Sequence, residues 1–298
     1  MQVYGGIEAG GTKFVCAVAE APDGAFLERI SIQTTTPGQT IGEAIQFFRR
    51  FDLRALGVAS FGPVDLNPRS PTYGYITTTP KNGWRNTDLL GPLRQTFGIP
   101  MGFDTDVNGA ALGEMRYGAG REGDSDPLVY FTIGTGIGGG AVINGQTLHG
   151  ILHPEMGHIM VKHHPDDPFA GRCPFHKDCL EGMANGPSIG DRWKIGPARL
   201  PEDHPAWDIE AYYLAQAVCT TIYMLSPCRV ILGGGVMHQK QLFPMIRRHT
   251  LELLKGYISI PGTPEAMDRL IVPPALVDDA GIRGALELAR LAGEPSNN

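Results

Sequence analysis

Apolar residues along the chain fall into short runs closed by glycine, and then into wider patterns at helical spacing. Residues 3–7 form an apolar run, Gly10, Gly11, Thr12 and Lys13 interrupt it, and residues 14–19 resume it, which predicts strand, turn, strand. Between residues 40 and 50, Ile41, Ala44, Ile45 and Phe48 recur at the period of a helix. A buried strand is predicted over 55–60, running into Phe61-Gly62-Pro63-Val64-Asp65. A helix over 87–97 has Thr87 or Asp88 as its cap, followed by a short strand over 100–104 and an alanine-rich helix over 107–117. Strands interleaved with helices in this way predict an α/β fold.

The pattern then starts again. After a looser polar stretch at 118–127, residues 128–133 read as a strand, 135–140 as a glycine turn and 141–143 as a returning strand. The second half opens as the first does, which reads as a duplicated architecture without a duplicated sequence. Residues 153–205 are rich in His, Pro, Gly and Asp, and are too long for a plain loop, so something must tie them down. A long helix over 207–225, a strand over 229–232, the turn Gly233-Gly234-Gly235 and an amphipathic helix over 281–292 complete the chain, with a frayed tail from 293.

With 298 residues, the expected division is an N-terminal α/β domain at 1–117, completed by the C-terminal segment 281–298, and a second α/β domain at 118–280. The net charge of -6, with no basic run, disfavours nucleic acid as a partner. No apolar run reaches the roughly 18 residues of a membrane helix, and the start has no signal-peptide pattern. Five cysteines, odd in number and unevenly spread, argue against a disulfide framework, so a cytoplasmic location is expected.

Three glycine-rich turns follow buried strands: 9–13, 134–140 and 233–235. Glycine lets several backbone N–H groups converge on one anionic oxygen, while Thr12 and Thr135 add hydroxyls and Lys13 a charge. A tight hairpin needing positive φ explains any one of them; three in one chain favour a nucleotide. None has P-loop spacing, and a strand instead of a helix after the first two excludes a Rossmann turn.

Asp104-Thr105-Asp106-Val107-Asn108 lies where a strand ends and a helix begins. One of these carboxylates can be a helix cap; a carboxylate held rigidly there also suits the base needed for phosphoryl transfer to an alcohol. His158, Cys173, His176 and Cys179 place two thiolates and two imidazoles within the long polar segment, the composition of a closed structural zinc shell. His153, His163 and His164, nearby, are read as solvent-facing imidazoles.

These motifs carry a resemblance to known proteins. Strand-turn-strand phosphate loops in both halves resemble the actin, hexokinase and Hsp70 superfamily, whose first phosphate motif, Asp-x-Gly-Gly-Thr-Lys, is similar to Glu8-Ala9-Gly10-Gly11-Thr12-Lys13 with Glu8 in the place of Asp. Residues 133–140 resemble the second phosphate motif and 230–236 the adenosine motif. Residues 105–108 resemble the Asn-Asp-Ala-Asn motif of the ROK family, with Thr105 replacing its first Asn. Glu155-Met156-Gly157-His158 and Cys173-x2-His176-x2-Cys179-Leu180-Glu181-Gly182 resemble that family's sugar and zinc motifs in the form of its bacterial fructokinase branch.

The resemblance implies a two-domain actin/hexokinase-like (ribonuclease H-like) fold with an interdomain cleft. It implies ATP-dependent phosphorylation of a hexose, D-fructose first, with mannose, glucose and N-acetylmannosamine as alternatives. Asp106 would be the general base. Gly10, Gly11, Thr12, Lys13, Thr132, Gly134, Thr135, Gly136, Gly233, Gly234 and Gly235 would bind ATP with Mg2+. Gly62, Thr105, Asp106, Glu155, His158 and Glu181 would hold the sugar, and His158, Cys173, His176 and Cys179 a structural Zn2+. A homodimer is implied as well. With seven residues ahead of Glu8, no N-terminal helix-turn-helix of a ROK-type repressor is expected.

Overall fold

In the computed structural model, residues 2–121, 125–259 and 261–294 are described. The chain is α/β and divides into two compact units, one of Met1–Gly118, Thr147–Pro154 and Asp278–Asn298, the other of Ala119–Gln146 and Glu155–Val277. The short return of Thr147–Pro154 to the first unit has no counterpart in the sequence pattern.

The first unit is a five-stranded sheet. Strands β1 (Val3–Ala9), β2 (Lys13–Ala19) and β3 (Phe26–Gln33) form an antiparallel meander, and β4 (Leu53–Ser60) and β7 (Met101–Thr105) add in parallel, giving the order β3-β2-β1-β4-β7. β3 is the strand the hydrophobic pattern misses: its alternate residues Leu27, Arg29, Ser31 and Gln33 face solvent, a mostly polar face of an edge. Helix α1 (Pro37–Phe48) starts under the Thr36 cap with proline in its first turn. β5 (Tyr75–Ile76) pairs with β6 (Thr87–Asp88), so Thr87 and Asp88 lie in a strand and helix α2 starts later, at Leu90–Phe97. Asp88 still caps, accepting from Gly91 N at 2.7 Å.

Helix α3 (Asp106–Tyr117) follows β7 directly. The closing helix, Ala280–Gly293, lies on β1, β4, β7 and α3. Its close approach depends on glycine, since a Cβ on Gly57 of β4 would stand 1.8 Å from Ala285 O, and one on Gly284 would stand 1.7 Å from Gly109 O. Its buried Glu287 is held by both Nε and Nη2 of Arg290 at 2.7 Å and by Tyr117. Residues 295–298 of the expected tail, and 122–124 of the polar stretch, lie outside the described residues.

The second unit repeats the sheet. Strands β8 (Leu128–Ile133), β9 (Ile137–Ile143) and β10 (Gln146–Thr147) form the meander, β11 (Arg229–Gly233) and β12 (Ile271–Val272) the parallel part, in the order β10-β9-β8-β11-β12. β9 begins at Ile137, so Gly138, Gly139 and Gly140 belong to a strand and the turn is Gly134 to Gly136. The cause is packing: a Cβ on Gly139 would stand 2.7 Å from Met156 Cβ. Helices α4 (Leu180–Ala184) and α5 (Gly186–Trp193) interrupt the long polar segment, α6 (Ala206–Leu225) follows, and α7 (Leu242–Leu254) and α8 (Pro264–Leu270) precede β12. Among the described residues, no helix is long and apolar enough to cross a membrane.

Candidate active site

Strand register assembles the first unit's part of the site. β1, β4 and β7 run parallel, with Ala9 opposite Ser60 and Ser60 opposite Thr105. The chain therefore leaves the sheet at one edge in three neighbouring places, as the 10–13 turn, as Phe61-Gly62 and as Asp106. The carboxyl ends of parallel strands are where α/β sheets bind ligands. The 10–13 turn is closed by Gly10 N donating to Lys13 O at 2.9 Å and by Thr34 Oγ1 donating to Gly10 O at 2.7 Å. Gly11 is open on its Cβ side, and Thr12 and Lys13 are exposed. The turn needs no positive φ; among the glycines of the three turns only Gly234, at +88°, has one.

Asp106 is the first residue of α3, and Thr105 caps that helix by accepting from Asn108 N at 3.1 Å. One carboxylate oxygen of Asp106 accepts from Val107 N at 2.9 Å. Burial outweighs this bond and pushes the Asp106 carboxyl up to about 6. Glu8, at the end of β1, is pushed up to about 7, first by burial and then by the Asp106 charge, with Arg29 and Lys13 opposing and Asp279 adding. The two carboxylates, close enough for the charge on Asp106 to raise Glu8, are hard oxygen donors of the kind that suits Mg2+.

Asp104 is buried and fully engaged. Its Oδ1 accepts from Thr105 N at 2.7 Å and Asn108 Nδ2 at 2.8 Å, and its Oδ2 lies 2.9 Å from His149 Nε2. That bond raises the His149 pKa. Asp104 is thus the structural carboxylate of the pair, leaving Asp106 available for chemistry. The Thr147–Pro154 strap also carries His153, which is not solvent-facing: it is buried, its Nε2 accepts from Val64 N at 3.1 Å, and burial lowers its pKa. Its ring packs on Gly62, where an added Cβ would meet Cε1 at 3.5 Å. His149 is the residue that sequence reasoning passed over; its spacing of four from His153, just ahead of the Glu-x-Gly-His motif, was the only signal.

In the second unit, the remaining two glycine turns also leave adjacent parallel strands, with Thr132 opposite Gly233. Gly134 N donates to Gly136 O at 2.9 Å, and Gly186 N donates to Gly134 O at 2.8 Å. Gly234 crosses β8 so closely that a Cβ would stand 2.5 Å from Ile133 O. Glu181 does not stand free: its Oε2 accepts from Ile137 N at 2.9 Å, tying α4 to the 134–136 turn. Glu155 is exposed, and its carbonyl accepts from His158 N at 3.0 Å.

His158, Cys173, His176 and Cys179 converge, with one ligand atom from each within 4.8 Å of the others. His158 Nδ1 lies 3.4 Å from Cys179 Sγ and 3.9 Å from Cys173 Sγ, and Cys173 Sγ lies 3.8 Å from His176 Nδ1. Metal bonds of about 2.3 Å to sulfur and 2.0 Å to nitrogen at tetrahedral angles put ligands roughly 3.3–3.8 Å apart, so the four fit one metal ion. A tight hairpin supports them, with Cys173 N donating to Lys177 O and Lys177 N to Cys173 O, each at 3.0 Å. Gly182 is required beneath it, because a Cβ there would stand 1.8 Å from Lys177 O. Gly157 of the Glu-x-Gly-His motif is required in the same way, 1.8 Å from Ile137 O.

Helix α6 is the second anchor of the long segment, and no motif announced it. Tyr213 OH donates to Asp167 Oδ2 at 2.7 Å, Arg192 Nε donates to Asp167 Oδ1 at 3.0 Å, and Gln216 pairs with both backbone groups of Lys162. His164 packs edge-on against Tyr212 and is largely covered, unlike the half-buried His163, which pairs with Asp178.

The ROK family model matches residues 4–292. A Lactococcus lactis protein named a fructokinase is 47% identical, with 90% of each chain covered. A Pediococcus pentosaceus fructokinase is 44% identical, covering 97% of this chain and 98% of its own. The structure of a ROK glucokinase from Streptomyces griseus, in complex with glucose and AMPPNP, superposes with a TM-score of 0.75 at 24% identity, over 97% of this chain and 99% of the other.

Proposed function

The chain belongs to the ROK family, and on that ground we propose that it is an ATP-dependent sugar kinase whose preferred acceptor is D-fructose, yielding fructose 6-phosphate. The fold is the two-domain actin-like one of the ROK hexokinases and glucokinases. The register of three parallel strand ends carries the reading, because it puts a phosphate-type turn, Gly62 and Asp106 at one sheet edge.

Asp106 takes the proton of the sugar hydroxyl as the phosphoryl group moves. With its pKa held near 6, it is ionised at neutral pH yet basic enough to share a proton in the transition state. Gly10, Gly11, Thr12, Lys13, Thr132, Gly134, Thr135, Gly136, Gly233, Gly234 and Gly235 are the N–H, hydroxyl and ammonium donors suited to a nucleotide's phosphates. Mg2+ would neutralise charge on those phosphates, and Glu8 and Asp106 are the carboxylates that would hold it. Gly62, Thr105, Glu155, His158 and Glu181 orient the sugar. Glu181 meets that role only on the oxygen not committed to Ile137 N.

The ion at His158, Cys173, His176 and Cys179 is Zn2+ on this reading: two thiolates and two imidazoles leave no open position, so it is structural and orders the segment that carries Glu155. The protein acts in the cytoplasm as a homodimer. Exposed apolar side chains that such a contact could cover include Ile151, Leu152, Met160, Phe175, Met224 and Tyr257, and sedimentation decides it.

The decisive test is a panel of fructose, glucose, mannose and N-acetylmannosamine in a coupled ADP assay. The highest kcat/KM is expected for fructose. Activity on glucose above that on fructose would move the substrate, and no activity on any sugar would remove the kinase reading.

A further inference from the structure

Glu8 stands where the family's phosphate motif has the shorter Asp, and the structure contains a matching change of shape elsewhere. The Glu8 side chain ends against the first turn of the closing helix. A Cβ built on Gly281 would stand 2.5 Å from both Cδ and Oε1 of Glu8 and 2.9 Å from its Cγ. The two carboxyl atoms an aspartate would not extend to are thus among the three that a side chain at 281 would strike. The same turn also faces the helix of Asp106: a Cβ on Gly109, one turn beyond Asp106, would stand 3.8 Å from Gly281 O. Asp279, just ahead of the turn, is held by Arg29 Nη1 at 2.6 Å, which fixes the helix start in place. The charged groups that act on Glu8 are Asp106, Arg29, Lys13 and Asp279.

We propose that Gly281 is a positioning residue for phosphoryl transfer: having no side chain, it seats the long Glu8 carboxyl on the first turn of the closing helix and so fixes the spacing between Glu8 and Asp106. Glu8 and Gly281 are one unit, a longer acid matched to a missing Cβ. An alanine at 281 drives the Glu8 carboxyl off the helix, and shortening Glu8 to Asp relieves the collision.

This role for Gly281 rests on the kinase reading, and the test separates the two. Wild type, Glu8→Asp, Gly281→Ala and the double variant are compared in kcat/KM for fructose, in pH profile and in Tm. Gly281→Ala is expected to lose about tenfold or more in kcat/KM and to move the acid limb of its pH profile, with Tm changed by only a few degrees. The double variant is expected to recover to within about threefold of Glu8→Asp alone, a coupling of the size contacting residues show. A double variant no better than the product of the two single effects, or a Gly281→Ala enzyme equal to wild type, would overturn the pairing. If Gly281→Ala does not fold, a folded double variant supports the pairing and an unfolded one overturns it. A wild type that phosphorylates no sugar would instead sink the kinase reading. The coupling of the four Tm values then decides, with strictly additive losses for Glu8→Asp and Gly281→Ala overturning the proposal.

Discussion

The two units share one sheet order and use it differently. In the first, the strand ends beside the phosphate-type turn deliver carboxylates: Glu8 at the end of β1, Asp106 after β7, with buried Asp104 fastening Asp106's helix to the strap through Asn108 and His149. In the second, the equivalent ends deliver glycine and Thr135, at 134–136 and 233–235, and β12 runs into Pro273 and Pro274 with no acid. The second unit's acidic group at its turn, Glu181, comes from α4 and is bound to backbone. One topology thus supports an edge bearing carboxylates in one half and an edge of glycine turns without an acid at the strand ends in the other. The difference lies in the residues at and just past each strand's end, since the hydrogen-bonded ladder fixes where a chain leaves the sheet but not which residue leaves it.

The contrast between the units is most exposed at Asp106. Asp106→Ala is expected to lower kcat by about 10²–10⁴-fold, the range for a lost general base, while fructose binding measured by calorimetry stays within a few-fold. Normal kcat would return the proton-accepting role to some other group. In the second unit, Cys179→Ser is expected to lower the metal content and weaken fructose binding, read by metal analysis and calorimetry, if the four ligands hold the proposed ion together. An equal metal content in wild type and variant would detach Cys179 from the cluster.

A smaller effect tests packing in the first unit alone. Gly57→Ala puts a methyl 1.8 Å from Ala285 O and is expected to cost about 1–3 kcal/mol or more in urea unfolding, by forcing the closing helix away from β4. The pH dependence of Asp106 is the mildest test. Its native pKa of about 6 exceeds the ordinary 3.8, so the folded protein binds this proton more tightly than the unfolded chain. That contribution to stability is fully present below the unfolded value and is lost as pH rises through the native one. Asp106→Asn is therefore expected to raise Tm by a few degrees at pH 8, with the gain shrinking toward pH 4, and wild-type kcat/KM should fall as pH drops through the native value.

Local chemistry was legible in the sequence alone: the strand-turn-strand at residues 3–19 and its repeat at 128–143, Asp106 at a helix start, and the cluster of His158, Cys173, His176 and Cys179. Each of these is written in short-range spacing, where period, glycine and ligand type are visible within a few residues. The edge strand β3, helices α4, α5, α7 and α8, the burial of His153 and the grip of His149 on Asp104 were not legible there. These depend on partners far along the chain: His153 meets Val64, Asp167 meets Tyr213, and Glu181 meets Ile137. Such pairings are settled in the folded chain, because a polar side chain becomes structural when a distant backbone group or charge completes it on burial.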